Sequence, residues 1–379
     1  MTAMPPGSEG PRNGRTATRH RGAIVDDGSH GLAARTGTAA RAFTRRVVNL
    51  WQGRPTLATV GSVAAAIGVA AITAVTIQAV IPDRPAATTV PANPFRGRPV
   101  VITLPIHPES YLGVYADNIP HSYAPIEAFT ATTHVHTNIA LYYSGWNEPF
   151  QMSFAMQAVA HDAVPLVQIE PGITKLTAIA VGDYDAYLES YANAVASFGA
   201  RTGRGVIIGF AHEPNGPWYR WGSGHVTPAT WIAAWRHIVD IFRRQGADNV
   251  TWLWTVNIIA KQRGVPSPAR WWPGSSYVTW VGIDGYYYKQ SWTFASLFGP
   301  TIKAVRALTL DPILISETGA APIANQSAKI ADIFAGIHLY GLLGLVWFDA
   351  DRSRDWRVSS QAAVAAFRRG AETYKAAAP

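Results

Sequence analysis

Gly205-Val-Ile-Ile-Gly-Phe-Ala-His-Glu-Pro-Asn-Gly-Pro-Trp218 decides how this chain folds. A short apolar run leads into a carboxylate, Glu213, and then breaks at proline and glycine. The same order returns in Pro312-Ile-Leu-Ile-Ser-Glu-Thr-Gly319, where Glu317 follows the apolar run. A strand buried on both faces reads as such a continuous run. In barrels of parallel strands, the carboxyl ends carry the chemistry. Two carboxylates delivered to those ends are the equipment of acid/base and nucleophilic catalysis.

Outward from these two stretches, apolar runs predict strands at Leu112–Tyr115, Asn138–Tyr143, Pro165–Glu170, Val206–Glu213, Val250–Asn257, Val278–Tyr286, Ile313–Glu317 and Leu343–Phe348. Helix-period segments fall between them at Phe150–Ala160, Tyr184–Phe198, Pro228–Gln245, Phe294–Leu308 and Ser327–Tyr340. A last helix is expected over Ser360–Tyr374. The α/β alternation predicts a (β/α)8 TIM barrel over residues 100–379. A doubly wound open sheet shares the alternation, but no Gly-rich phosphate loop follows the first strand.

The chain has 379 residues, of which 48% are hydrophobic, enough for one large core. Its net charge of +8 is concentrated near the N-terminus, where nine arginines precede residue 82 against Glu9, Asp26 and Asp27. The barrel segment is close to neutral, which speaks against nucleic acid as a partner. Residues 1–55 are rich in Gly, Ser, Thr, Ala and Arg and are expected to be a disordered basic tail, placed in the cytoplasm by its charge. No charged residue falls between Thr56 and Ile81. That span predicts a transmembrane anchor over 56–81, or, if cleaved, a long secretion signal. Five prolines between residues 82 and 99 predict a stiff linker, with the barrel outside the membrane. Without cysteine, disulfides and thiol nucleophiles are excluded.

The predicted strand ends gather polar and aromatic groups. The third strand ends in Glu170, and the fourth in His212, Glu213 and Asn215, with Trp218 and Trp221 beyond. The fifth ends in Asn257, the sixth in Asp284 and Tyr286, the seventh in Glu317, and the eighth in Trp347 and Asp349. His212 is either a core histidine or a site residue. A regular strand would point it away from Glu213, so a site role requires a bend. Tyr286 either packs the barrel or donates to Glu317; Trp347 is either core or a platform under a sugar. Glu170 and Asp349 are read as substrate contacts. Trp235, His237 and Phe242 recur along one helix and read as packing. His134 and His136 lack a recognisable metal motif, and no GxSxG is present. No metal or cofactor is required.

At these residues the chain resembles glycoside hydrolase family 26, the clan A group best known for β-mannanases. The resemblance rests on His212–Trp218, Ala234–Phe242, Asn249–Trp254, Gly282-Ile-Asp-Gly-Tyr286 and Ile315–Gly319. It implies that Glu213 is the acid/base and Glu317 the nucleophile of a retaining enzyme. It also implies that His212, Trp218, Tyr286 and Trp347 surround the sugar at the cleavage point. Pro214 stands where the mannanases commonly carry Met. The expected activity is hydrolysis of β-1,4-mannan. Alternatives are a transglycosylase or hydrolase acting on an endogenous or other β-glycan such as glucan or xylan, or a non-catalytic sugar-binding module.

Overall fold

A computed structural model describes residues 101–260, 264–352 and 354–372. The predicted tail, anchor and linker lie outside the described residues. Among those described, no helix is long and apolar enough to cross a membrane.

The strands are β1 (Tyr111–Ala116), β2 (Ile139–Gly145), β3 (Val164–Glu170), β4 (Val206–Phe210), β5 (Val250–Asn257), β6 (Trp280–Tyr287), β7 (Ile313–Ala320) and β8 (Gly344–Asp349). Each pairs in parallel with its neighbours in sequence, and β8 returns to β1, closing the barrel. The helices are α1 (Ala124–Thr133), α2 (Met152–Ala160), α3 (Leu176–Ala180), α4 (Asp185–Thr202), α5 (Pro228–Arg244), α6 (Phe294–Leu297), α7 (Gly299–Arg306), α8 (Gln326–Tyr340) and α9 (Gln361–Ala371).

Two differences from the sequence reading have local causes. The helix expected over Phe294–Leu308 divides at Phe298, because Pro300 lacks an N–H for the ladder and crowds the preceding turn. Between β5 and β6 stand 3-10 turns, Pro268–Trp271 and Ser275–Tyr277, in a stretch punctuated by Pro266, Pro268, Pro273 and Gly274. The helices α1 and α3 were not anticipated.

Side chains alternate along each strand between two buried layers, as the period of two requires. Tyr111, Ile139, Leu141, Val164, Leu166, Ile207, Leu253, Trp280, Leu314 and Val346 pack together inside the barrel. Their neighbours Val114, Tyr142, Val167, Ile208, Trp254, Val281, Ile315 and Leu345 pack outward with the helices.

Helix α5 shows how the outer layer forms. The Thr227 side chain caps it, accepting from the Thr230 N–H at 3.1 Å, and Pro228 starts it with φ already set. Trp231, Ala234, Trp235, Ile238, Val239 and Phe242 share its buried face. Trp231 and Trp235 stack with ring centroids 5.2 Å apart. Burying each such aromatic contributes on the order of 2–3 kcal/mol. His237, read as part of that face, instead meets Asp185 Oδ1 at 2.6 Å.

Candidate active site

The β4 stretch does not run on to Glu213. It stops at Phe210, and both Ala211 (φ 46°) and Glu213 (φ 53°) adopt left-handed backbone conformations. Such residues cost about 1–3 kcal/mol each and persist only where their surroundings hold them. Here the Ala211 N–H donates to Ile169 O and the Glu213 N–H to Thr255 O, both at 2.9 Å. Trp231 Nε1 donates to Ala211 O at 3.1 Å, and Trp221 Nε1 to His212 O at 2.8 Å. The turn breaks the alternation that would have sent His212 and Glu213 to opposite faces.

A second break lies in β7. Gly282 faces Leu314 and Asp284 faces Glu317, so β7 advances three residues while β6 advances two. The β8 side repeats the slip between Ile315 and Thr318. One extra residue is therefore inserted in β7, as in a β-bulge. Consecutive side chains then serve the same site. Ser316 Oγ donates to Asp284 Oδ1 at 2.6 Å, and Glu317 accepts from the hydroxyls of Tyr143 and Tyr286.

The two glutamates are held differently. Glu213 is only 6% exposed. Its Oε2 accepts the Trp218 indole N–H at 2.6 Å, and its Oε1 accepts from Asn257 Nδ2. Asn257 is itself fixed by Asn215, whose amide clasps its backbone N–H and carbonyl at 2.9 Å each. Burial, then the charge of Glu317, push the Glu213 carboxyl up to about 8 against these two donors. Burial also raises Glu317, opposed by the phenol hydrogen bonds of Tyr143 and Tyr286. Asp284, 1% exposed, is pushed well above the usual carboxylate range by burial and by Glu317. Glu170, with a fifth of its side chain open, rises to about 7, chiefly through burial. His212 stays neutral, because burial takes its pKa down to about 3. Its Nε2 is 3.1 Å from the Tyr219 hydroxyl and 4.0 Å from Glu170 Oε1.

Glu170, His212, Glu213, Trp218, Asn257, Asp284, Tyr286 and Glu317 thus come together at the carboxyl end of the barrel, through these hydrogen bonds and the mutual repulsion of Glu170, Glu213, Asp284 and Glu317. Trp221 lies behind them, stacked on Tyr219 at 4.3 Å with the rings 9° from parallel. It is 5% exposed and supports the His212 backbone rather than the cleft surface.

Trp347 does not join the site. It is fully buried on the outer side of β8, donates from Nε1 to Trp356 O at 3.0 Å, and meets Phe367 of α9 edge-on. The sugar platform read for it is therefore corrected. Phe348 takes the inward place, stacked on Tyr115 at 4.7 Å and edge-on to Tyr286 at 6.0 Å. Asp349 accepts the Val358 N–H at 2.7 Å and so anchors the loop after β8.

Sequence reasoning missed Tyr143, Tyr219, Phe348 and Trp356, whose ring lies 4.6 Å from that of Tyr286. For Tyr143 a signal existed. It shares the parity of the inward residues Ile139 and Leu141, while Tyr142 packs outward on Phe154. Among the described residues, no three His, Asp or Glu side chains cluster as a metal site would.

Comparison with known proteins agrees with this architecture. Residues 171–358 match glycosyl hydrolase family 26. Endoglucanase H of Acetivibrio thermocellus is 31% identical over 274 residues, 68% of this chain but only 30% of that protein. The fold is similar to the catalytic domain of a Bacillus sp. JAMB-750 endo-β-1,4-mannanase, with TM-score 0.55 and 14% identity over 70% of this chain and 86% of that one. It is also similar to a Bacillus subtilis mannanase, with TM-score 0.53 and 14% identity over 69% and 85%. With its closed parallel barrel and the match across β4 to β8, the chain belongs to glycosyl hydrolase family 26.

Proposed function

We propose that the barrel is a retaining endo-β-glycosidase with β-1,4-mannan as its leading substrate, Glu317 as nucleophile and Glu213 as acid/base. The carrying observation is the unequal hold on two carboxyls, Glu213 buried and Glu317 half-buried. Glu213 is pushed up to about 8 and so keeps its proton at neutral pH, while two phenolic hydroxyls stabilise the ionised form of Glu317.

In the first step Glu317 attacks the anomeric carbon, the glycosidic C–O bond breaks, and the Glu213 proton passes to the leaving oxygen. The Trp218 and Asn257 N–H groups stabilise the Glu213 carboxylate left behind. In the second step Glu213 takes a proton from water. The water oxygen bonds to the anomeric carbon, and Glu317 departs as carboxylate. The remaining polar and aromatic groups, Glu170, His212, Asp284 and Tyr286, orient the sugar or the two carboxyls.

A second reading takes β-glucan as substrate; the 31% identity with a protein named endoglucanase H favours it. Hydrolysis of a panel of mannan, β-glucan and xylan by the full chain, beside Glu213→Ala, separates the two. Cleavage of none by folded protein would overturn the enzymatic reading. The uncharged span 56–81 and the arginines before it support display of the barrel outside the membrane on an anchor.

A further inference from the structure

The Glu317 carboxylate is held from two sides of the barrel. Tyr286 comes from β6, the strand beside β7, and donates to Oε1. Tyr143 comes from β2, which β8 and β1 separate from β7, and donates to Oε2. The Tyr143 ring is wedged edge-on to Tyr115 at 5.1 Å and lies 5.6 Å from His212. Packing alone would place a phenylalanine there equally well. The hydroxyl is the group whose presence needs a reason, and it is spent on Glu317.

The surroundings show why a second donor matters. The titratable groups that feel the charge of Glu317 are Glu213 beyond β4, Glu170 on β3, Asp284 and Tyr286 on β6, Tyr143 on β2, Tyr115 on β1 and Tyr219 beyond β4. All are acids or phenols. The cation Arg352 lies behind Tyr115, 3.2 Å from its hydroxyl, and is paired with Asp117. His212 is neutral. Hydrogen bonds therefore carry the stabilisation that a nearby cation would otherwise supply.

We propose that Tyr143 is a positioning residue for the nucleophile: its hydroxyl, reaching across the barrel mouth from β2, holds Glu317 Oε2 ionised and aimed while Tyr286 holds Oε1. The inference rests on Glu317 being the nucleophile. Burial raises the Glu317 carboxyl and the Tyr143 hydrogen bond opposes that rise, consistent with the geometry.

The test is the pH profile of kcat/KM for the full chain and its Tyr143→Phe variant, with a 2-deoxy-2-fluoro-glycoside used to trap the nucleophile for mass spectrometry. The expected result is a trapped Glu317 ester in the parent and an acid limb moved up by about one pH unit in Tyr143→Phe. At pH values below that limb, kcat/KM falls about tenfold. A trapped Glu317 with an unmoved acid limb overturns the role of Tyr143 and leaves the nucleophile standing. A label on another residue overturns the nucleophile reading itself. Should Tyr143→Phe fold poorly, 3-fluorotyrosine at position 143 keeps the ring and sharpens the donor. It is expected to move the acid limb down, and an unmoved limb overturns the proposal.

Discussion

The Trp218 indole N–H donates to Glu213 Oε2 at 2.6 Å, so the residue that ends the Pro-Asn-Gly-Pro turn returns to the carboxyl that precedes it. A donor to the charged form lowers a carboxyl pKa. Trp218→Phe removes that donor and keeps an aromatic ring. The basic limb of kcat/KM is expected to move up by about half to one pH unit, with kcat/KM at neutral pH down roughly tenfold. A full pH profile on a chromogenic glycoside checks this. A basic limb moved down would contradict the assignment.

The proposed division of labour has a stereochemical signature. Glu213→Ala is expected to lose about 10²–10⁴ in turnover on substrates with poor leaving groups. With an activated substrate, whose leaving group needs no proton, azide should speed turnover by forming the β-glycosyl azide from the covalent intermediate. Glu317→Gly with azide and an activated substrate is expected to give the α-azide by direct displacement. Proton NMR of the products distinguishes these outcomes, and the same anomer from both variants would refute the assignment.

Stability should fall as pH rises across the range in which these carboxyls titrate. The folded pKa of Glu213 is raised to about 8, above the ordinary carboxylate value that the unfolded chain restores. Between the two values the folded state binds more protons than the unfolded state, so unfolding becomes easier as pH rises. Glu170, raised to about 7, adds to the same slope. Glu213→Gln is expected to flatten it and raise Tm at pH 8 by on the order of 5 °C. Thermal melts from pH 5 to 8 measure this, and a steeper slope in the variant would be the contrary result.

Gly282 sits where β6 passes between β5 and the bulged β7. A Cβ there would lie 2.4 Å from Ser316 Oγ and 2.6 Å from Thr255 Oγ1. Gly282→Ala therefore displaces the Ser316 hydroxyl from Asp284 and the Thr255 hydroxyl from Gln168. The expected cost is about 1–3 kcal/mol in stability together with a fall in kcat. Denaturant unfolding and kinetics report the two effects separately. Unchanged values of both would show that the neighbouring strands yield freely.

The eighth strand separates packing from substrate contact. Trp347→Phe is expected to lower Tm through a lost indole bond and a void beside Phe367, with KM nearly unchanged. Phe348→Ala is expected to raise KM several-fold, since its ring borders Tyr115 and Tyr286 in the cleft. The reverse pattern would return Trp347 to the sugar.

Much of the site was legible residue by residue, and where reading failed the cause was parity. The run Leu345-Val-Trp-Phe348 is apolar throughout because a parallel barrel strand is buried on both sides, so it carries no mark of which side chain faces in. The tyrosine pair at 142 and 143 poses the same question, which the parity of Tyr143 answers once Ile139 and Leu141 are seen to face in.

By itself the amino-acid sequence determined the alternating strands and helices, the barrel they form, and the delivery of Glu213 and Glu317 to strand ends. Those features depend on local composition, where apolar runs, helical periodicity and Pro/Gly breaks act over a few residues. Only the tertiary structure decided that His212 and Glu213 turn to one side, that the consecutive Ser316 and Glu317 both turn to the site, and that Tyr143 meets a carboxylate 174 positions away. Two left-handed residues after β4 and one inserted residue in β7 override the period of two. Such departures are held in place by bonds from other strands and helices, so the segment that departs does not contain their cause.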